Sequence, residues 1–264
     1  MNYVNVQQQS DITFITMNRP SIHNAFDDQM IEELTGAFET AAQDDACRVV
    51  VLQAEGRNFS AGADLNWMKS MASLSREDNE IDALKLAGLM HCVYTLPKMV
   101  IAKVVGASFG GALGLISACD VAFADTDATF CLSEVKIGLV PAVISPYVIE
   151  SMGIRNARRF MLSAEVFDTE TAVKSGLIQG VFPTDQLDSE VVALANVAAK
   201  NGPSATAQCK QLINAIAHER IGDKTITHTA ELIAKIRVSE EGQEGLTSFL
   251  EKRPPAWRVK GEAN

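Results

Sequence analysis

Apolar positions along this chain follow two patterns, and the change from one to the other divides it. "ITFITM" (12–17), "RVVVLQA" (48–54), "MVIAKVV" (99–105) and "VAFAD" (121–125) are short, nearly continuous apolar runs. Runs of that length predict strands, and their continuity predicts burial on both faces. The first is preceded by another short strand starting at Asn5, across the polar "QQQSD", and Asn18-Arg19-Pro20 ends the pair. Between runs the spacing turns helical. "DDQMIEELTGAFETAAQDD" places Met30, Leu34, Phe38 and Ala41 on one face, with acids in the first turn where the helix dipole favours them. "SREDNEIDALKLAGLMHCVYTL" predicts a second helix stopped by Pro97. After Pro183 three segments, beginning "QLDSEVV", "SATAQCK" and "HTAELIA", all read as helix with no strand between them. The expectation is an α/β portion over 1–195 and a helical region over 196–264, without repeats, low-complexity tracts or long linkers.

Two segments share a layout of strand, Gly/Ala-rich turn and helix: "VVVLQAEGRNFSAGADLNWM" and "VIAKVVGASFGGALGLISACD". Small residues at a helix start leave backbone N–H groups open to an anion or a polarised carbonyl. Two such turns facing each other would make the donor pair of an oxyanion hole. One turn alone is more simply explained by close helix packing. Neither fits a G-x-G-x-x-G or a G-x-x-x-x-G-K phosphate loop. The second contains Gly106-Ala107-Ser108-Phe109-Gly110, a G-x-S-x-G, so a serine nucleophile at Ser108 is a competing reading. His218 and His228 follow it with acids between, but no HGGG-type loop precedes it, and the matching turn at "SAGAD" would stay unexplained.

Charge narrows the partners. The 264 residues carry 23 Lys and Arg against 33 Asp and Glu, a formal charge of −10. Nucleic acid and anionic membranes are held by Lys and Arg, so neither is expected as a partner. The 5 cysteines form no C-x-x-C pair, which predicts small buried thiols in a reducing compartment and no metal site. The N-terminal "MNYVNVQQQSD" has no secretory signal pattern and no apolar run reaches the ~18 residues of a membrane helix, so a cytoplasmic location is expected.

"FSAGADL" (59–65), "GASFGGALGL" (106–115) and "FCLSEVKIGLVPA" (130–142), in that order and spacing, resemble the enoyl-CoA hydratase/isomerase (crotonase) family nearly end to end. Within it, "GGALGLISACD", "PAVISPYV" and "RVSEEGQEGL" are most similar to bacterial methylglutaconyl-CoA hydratases of leucine breakdown. The resemblance implies an α/β spiral of ββα turns with a C-terminal helical trimerisation region, assembling as a homotrimer or homohexamer. It also implies an acyl-CoA substrate and no separate cofactor. The Ala63 and Gly111 amides would hold the thioester carbonyl as an enolate develops. Ala61, Gly62, Asp64, Leu65 and Gly110, with Asn24, Ala25 and Phe26 nearby, would line the CoA path.

Glu134 lies between the apolar "ATFCL" and "IGLVPAV", so it reads either as a strand-end surface carboxylate or as one facing a poorly hydrated cleft. The resemblance makes it the acid/base. It also marks a departure. Many hydratases carry a second glutamate where this chain has Gly114, and a single carboxylate is the arrangement of Δ3,Δ2-enoyl-CoA isomerases, the runner-up. A non-catalytic acyl-CoA or RNA binder is a third reading, opposed by the charge and by Glu134. Trp67 and Met68 could wall an acyl pocket or simply fill the core. His91 reads as an ordinary helix residue. Aryl-CoA dehalogenating members would have an aspartate near Ala142, absent here. Arg19, Lys69 and Lys252 could meet CoA phosphates, with solvated surface charge as the plainer alternative.

Overall fold

The apolar runs become strands whose alternate residues enter two different cores, as continuous hydrophobicity demands. The computed structural model describes residues 2–258. In β2 (Ile12–Met17), Ile15 and Met17 join one core and Ile12 and Phe14 the other. Val50 and Leu52 of β3 (Val49–Ala54) oppose Val49 and Val51 in the same way. In β4 (Met99–Val104), Val100, Ala102 and Val104 face the first core and Ile101 the second. With β1 (Val4–Gln9), β6 (Val121–Asp125) and β9 (Gly180–Phe182) these make a 6-stranded sheet in the order β1-β2-β3-β4-β6-β9. β1 pairs antiparallel with β2, and the remaining pairs are parallel. A second sheet of 3 short strands, β5 (Ala107–Phe109), β7 (Thr129–Cys131) and β8 (Phe167–Asp168), stands beside it.

The first core is closed by α1 (Asp28–Gln43), α3 (Arg76–Thr95) and α4 (Gly111–Ala118). Met30, Leu34, Phe38 and Ala41, the stripe expected from spacing, are all buried. Asp27 caps α1 by accepting from the Met30 N–H at 2.8 Å, and Ser75 caps α3 through the Asp78 N–H at 3.0 Å. The short α2 (Leu65–Met71) joins β3 to α3; α6 (Thr169–Ser175) packs on the smaller sheet, and α5 (Ser145–Ser163) reaches it through Phe160 against Phe167. The second core is covered by α7 (Thr184–Ala199), which sets Leu187, Val191 and Ala195 against it at four-residue spacing. The division at 195/196 therefore falls inside α7.

Beyond it, α8 (Pro203–Ile216) and α9 (Asp223–Arg237) bury no residue fully, and α10 (Glu240–Leu250) buries Ser248 alone. Ile213, Ile226, Ile233, Leu246, Phe249 and Leu250 are exposed on these helices. The cysteines are all unpaired; Cys47 and Cys131 are buried, but Cys209, on the poorly covered α8, is exposed, contrary to the uniform burial expected. Among the described residues no helix is long and apolar enough to cross a membrane, and no group of three or more His, Cys, Asp or Glu could hold a metal ion.

Candidate active site

Two turns, one after β3 and one after β4, meet backbone to backbone. The Phe59 N–H donates to Val105 O at 2.7 Å, Ser60 N–H to Ala107 O at 3.2 Å and Phe109 N–H to Ser60 O at 2.9 Å. Contact this close leaves no room for side chains. A Cβ on Gly62 (φ +89°) would stand 2.9 Å from the Phe109 carbonyl oxygen, and one on Gly106 (φ +56°) would overlap the Arg57 carbonyl oxygen. The glycines of the G-x-S-x-G thus serve backbone approach. Ser108 itself is fully buried on β5 and its hydroxyl has no hydrogen-bond partner among the described residues, whereas His218 and His228 are exposed. A nucleophilic serine needs a base within reach and a path for substrate. The structure gives Ser108 neither, which removes the serine-hydrolase reading.

The same turns aim two N–H groups at one space. Phe26 donates to Gly62 O at 2.7 Å, and the Asp64 N–H donates to Phe26 O at 2.7 Å. These bonds use the groups on either side of Ala63, so its own N–H faces away from Phe26 and finds no acceptor among the described residues. Gly111 opens α4, where an N–H has no carbonyl one turn back to receive it. Its neighbour Gly110 (φ +54°) donates instead to Cys131 O at 2.9 Å. Ala63 and Gly111 line a cavity of about 320 Å³, whose walls include Phe26, Trp67, Leu86 and Val140.

Glu134 enters the same cavity from a one-turn 3-10 helix, Glu134–Ile137, that follows β7 and ends at Gly138 in the left-handed conformation. Oε1 lies against Gly110, 3.2 Å from where a Cβ would sit, and Oε2 is buried without a hydrogen-bond partner among the described residues. Burial pushes its carboxyl above the usual glutamate range. A half-buried acid beside two open amides can take and return a proton next to a carbonyl held by those amides.

The position of the missing second glutamate is filled. A Cβ on Gly114 would overlap Ile144 Cγ2 and lie 2.7 Å from Ile144 Cβ, with Met90 Sδ at 3.3 Å. Ile144 is itself buried and lines the cavity.

Other expected residues divide. Phe26 and Trp67 line the cavity; Met68 does not, and Met71, one turn on, does, as does Ala142, where an aspartate was noted as absent. Leu65 and Ala61 are exposed, and Ala25 is buried. The Asn24 side chain is consumed inside the fold: Oδ1 accepts from Arg19 N–H at 2.8 Å, and Nδ2 donates to Glu55 O and Asn58 O at 2.9 Å each. Asp64 caps α2 and pairs with Arg19. Arg19 is thereby withdrawn from any phosphate, while Lys69 and Lys252 are exposed and His91 lies on the exposed side of α3. Sequence reasoning passed over Asn79, Asp82, Ala83 and Leu86, which line the cavity from α3. Their spacing of three and four residues, in a helix already predicted, was the available signal.

The sequence model of the enoyl-CoA hydratase/isomerase family matches residues 7–260. The 2,3-dehydroadipyl-CoA hydratase of Escherichia coli is 30% identical over 98% of this chain and 99% of its own. The crystal structure of an enoyl-CoA hydratase from Shewanella pealeana superposes with a TM-score of 0.94 at 45% identity, covering 97% of this chain and 96% of that one. An enoyl-CoA hydratase/isomerase from Marinobacter aquaeolei gives 0.91 at 31% identity, covering 97% and 99%. With two open amides and one half-buried glutamate around a single cavity, this chain belongs to the enoyl-CoA hydratase/isomerase family.

Proposed function

We propose that the chain adds water across the 2,3 double bond of an enoyl-CoA thioester. The observation that carries this is the convergence of the Ala63 and Gly111 N–H groups and the Glu134 carboxylate on one cavity. The thioester oxygen accepts from both amides. Water attacks C3 and gives a proton to Glu134, the electron pair of the double bond moves into the thioester as an enolate, and the same carboxyl returns a proton to C2. Each amide hydrogen bond strengthens as charge reaches the oxygen, which is where rate is gained. Δ3,Δ2-Isomerisation is the second reading, favoured by one observation: the place of a second carboxylate is filled by Ile144.

For the acyl group, the motif resemblance supports a short, branched, carboxylated chain, methylglutaconyl-CoA first. The mostly apolar lining suits the branched part. Among the described residues no lysine, arginine or histidine lines this cavity, and Asp82, which makes no ion pair among them, lines both it and the adjoining groove. A distal carboxylate would feel that charge. Turnover of crotonyl-CoA and methylglutaconyl-CoA, followed by loss of absorbance of the conjugated thioester, tests both points. Preference for methylglutaconyl-CoA is expected, and Asp82→Asn should raise it a further several-fold by removing a like charge at short range. Much faster turnover of crotonyl-CoA refutes the acyl assignment, and an unchanged ratio in Asp82→Asn refutes the part given to Asp82.

Assembly as a homotrimer or homohexamer belongs to the same proposal. The exposed apolar residues of α8–α10 need partners that these helices do not give one another. Sedimentation of the purified chain at three or six times 28.5 kDa is expected; a stable monomer contradicts it.

A further inference from the structure

Arg19 is tied to the Ala63 amide by a symmetric arrangement of two helix caps. Phe26 and Ala63 face each other in an isolated parallel bridge, and each is followed by an aspartate that caps a helix. Asp27 uses Oδ1 to accept from Met30 N–H at 2.8 Å, and Asp64 uses Oδ1 to accept from Asn66 N–H at 2.7 Å. Each leaves Oδ2, and Arg19 takes both: Nη1 lies 2.8 Å from Asp27 and Nη2 3.3 Å from Asp64. Nη1 also donates to Ala25 O at 2.8 Å, and the guanidinium rests over the Tyr3 ring at 4.2 Å from its centroid. The arginine and its two aspartates are 14%, 15% and 12% exposed at their side chains, so this is no solvated surface pair.

The planar fork of arginine can hold two carboxylates in fixed relative positions, which the single ammonium of lysine cannot. What it fixes is the spacing of the segments carrying Phe26 and Ala63. The direction of the Ala63 N–H follows from the peptide that joins it to Gly62, whose carbonyl is held by Phe26. We propose that Arg19 is a positioning residue for the oxyanion hole: by joining the caps of α1 and α2 across the Phe26–Ala63 bridge, it aims the Ala63 amide at the thioester oxygen. This rests on the reading of Ala63 as an oxyanion donor given above.

Arg19→Lys keeps the charge, and Asp64→Asn keeps a capping oxygen while breaking the ion pair. Both are expected to lower kcat by roughly 10- to 100-fold, since small displacements of a reacting group carry losses of that order. KM should stay within about threefold, because the donor acts mainly in the transition state. A second readout follows carbonyl polarisation directly. A para-aminocinnamoyl-CoA bound to the wild type should absorb at longer wavelength than when free, and both variants should lose much of that shift while still binding the probe.

Variants that fold and match the wild type in kcat and in spectrum overturn the inference. So do losses confined to KM, and so does failure of both variants to fold, which would make Arg19 a folding residue only. If Arg19→Lys alone fails to fold, Asp64→Asn decides by the same criteria. A wild type that turns over no enoyl-CoA and shifts no spectrum defeats the hydratase reading itself. A wild type that does both, with variants indistinguishable from it, defeats this inference alone.

Discussion

Glu134→Gln is expected to lose roughly 10²–10⁴-fold in kcat, the range of a general acid–base group, with acyl-CoA affinity little changed. Glutamine keeps the size and a hydrogen bond but cannot exchange a proton. Ser108→Ala, at the fully buried serine, should leave kcat within about threefold of the wild type. The stability of the glutamine variant should move the other way. Burial raises the Glu134 carboxyl above its ordinary value. A group raised in the folded state stabilises the fold fully below its unfolded pKa, and loses that contribution as pH rises through the folded pKa. At neutral pH the charged carboxylate is thus the less well accommodated form, and a neutral isostere should melt at or above the wild-type temperature. In the wild type, the acid limb of kcat/KM should lie above the usual range of glutamate, because the base form is needed to accept the proton of water. An active Glu134→Gln enzyme, or one that loses activity only by melting early, contradicts this account of the site.

Gly106→Ala carries the largest expected structural effect. The residue has φ +56°, and the new methyl would overlap the Arg57 carbonyl oxygen where the two turns meet. Left-handed strain and forced packing each cost about 1–3 kcal/mol, so Tm should fall by on the order of 10 °C, and any folded fraction should be a poor catalyst because the turns have separated. Gly88→Ala is the control. It lies within α3 with nothing within 4 Å of its would-be Cβ, and alanine there should be neutral or stabilising by up to about 1 kcal/mol. Thermal unfolding of the pair distinguishes a general intolerance of substitution from the specific contact between turns.

The parts of this fold legible in sequence are those where burial sets the pattern. β2, β3 and β4 were readable because both faces are covered, so few polar residues (Thr13, Thr16, Gln53 and Lys103) interrupt the runs, and the α1 stripe because only one face is. The smaller sheet was not readable as a sheet. β5 and β8 have 3 and 2 residues, too few for any periodicity, and tertiary contact alone makes them strands. At the site, the glycine-rich turns announced open backbone groups, the resemblance named Ala63 and Gly111, and the Ala63 N–H has no acceptor among the described residues. Ser108 imitated a nucleophile because a strand passing under a tight turn and a strand leading into a nucleophile turn share the same small residues; burial separates them. Arg19 reads in sequence as one more surface cation, since nothing local says that Asp27 and Asp64 both reach it. The identity of the residue filling the space at Gly114 was equally hidden, because Ile144 comes from a segment 30 residues away.

The central claim is that two amides and one carboxylate add water to an enoyl thioester, and isotope transfer from solvent tests it most directly. The purified chain is incubated with a 2-enoyl-CoA, and separately with a 3-enoyl-CoA, in water enriched in oxygen-18, and the products are weighed by mass spectrometry. Hydration predicts a 3-hydroxyacyl-CoA bearing one solvent oxygen from the 2-enoyl substrate. Conversion of the 3-enoyl to the 2-enoyl thioester, with no solvent oxygen in any product, would contradict the account and leave a pure double-bond shift.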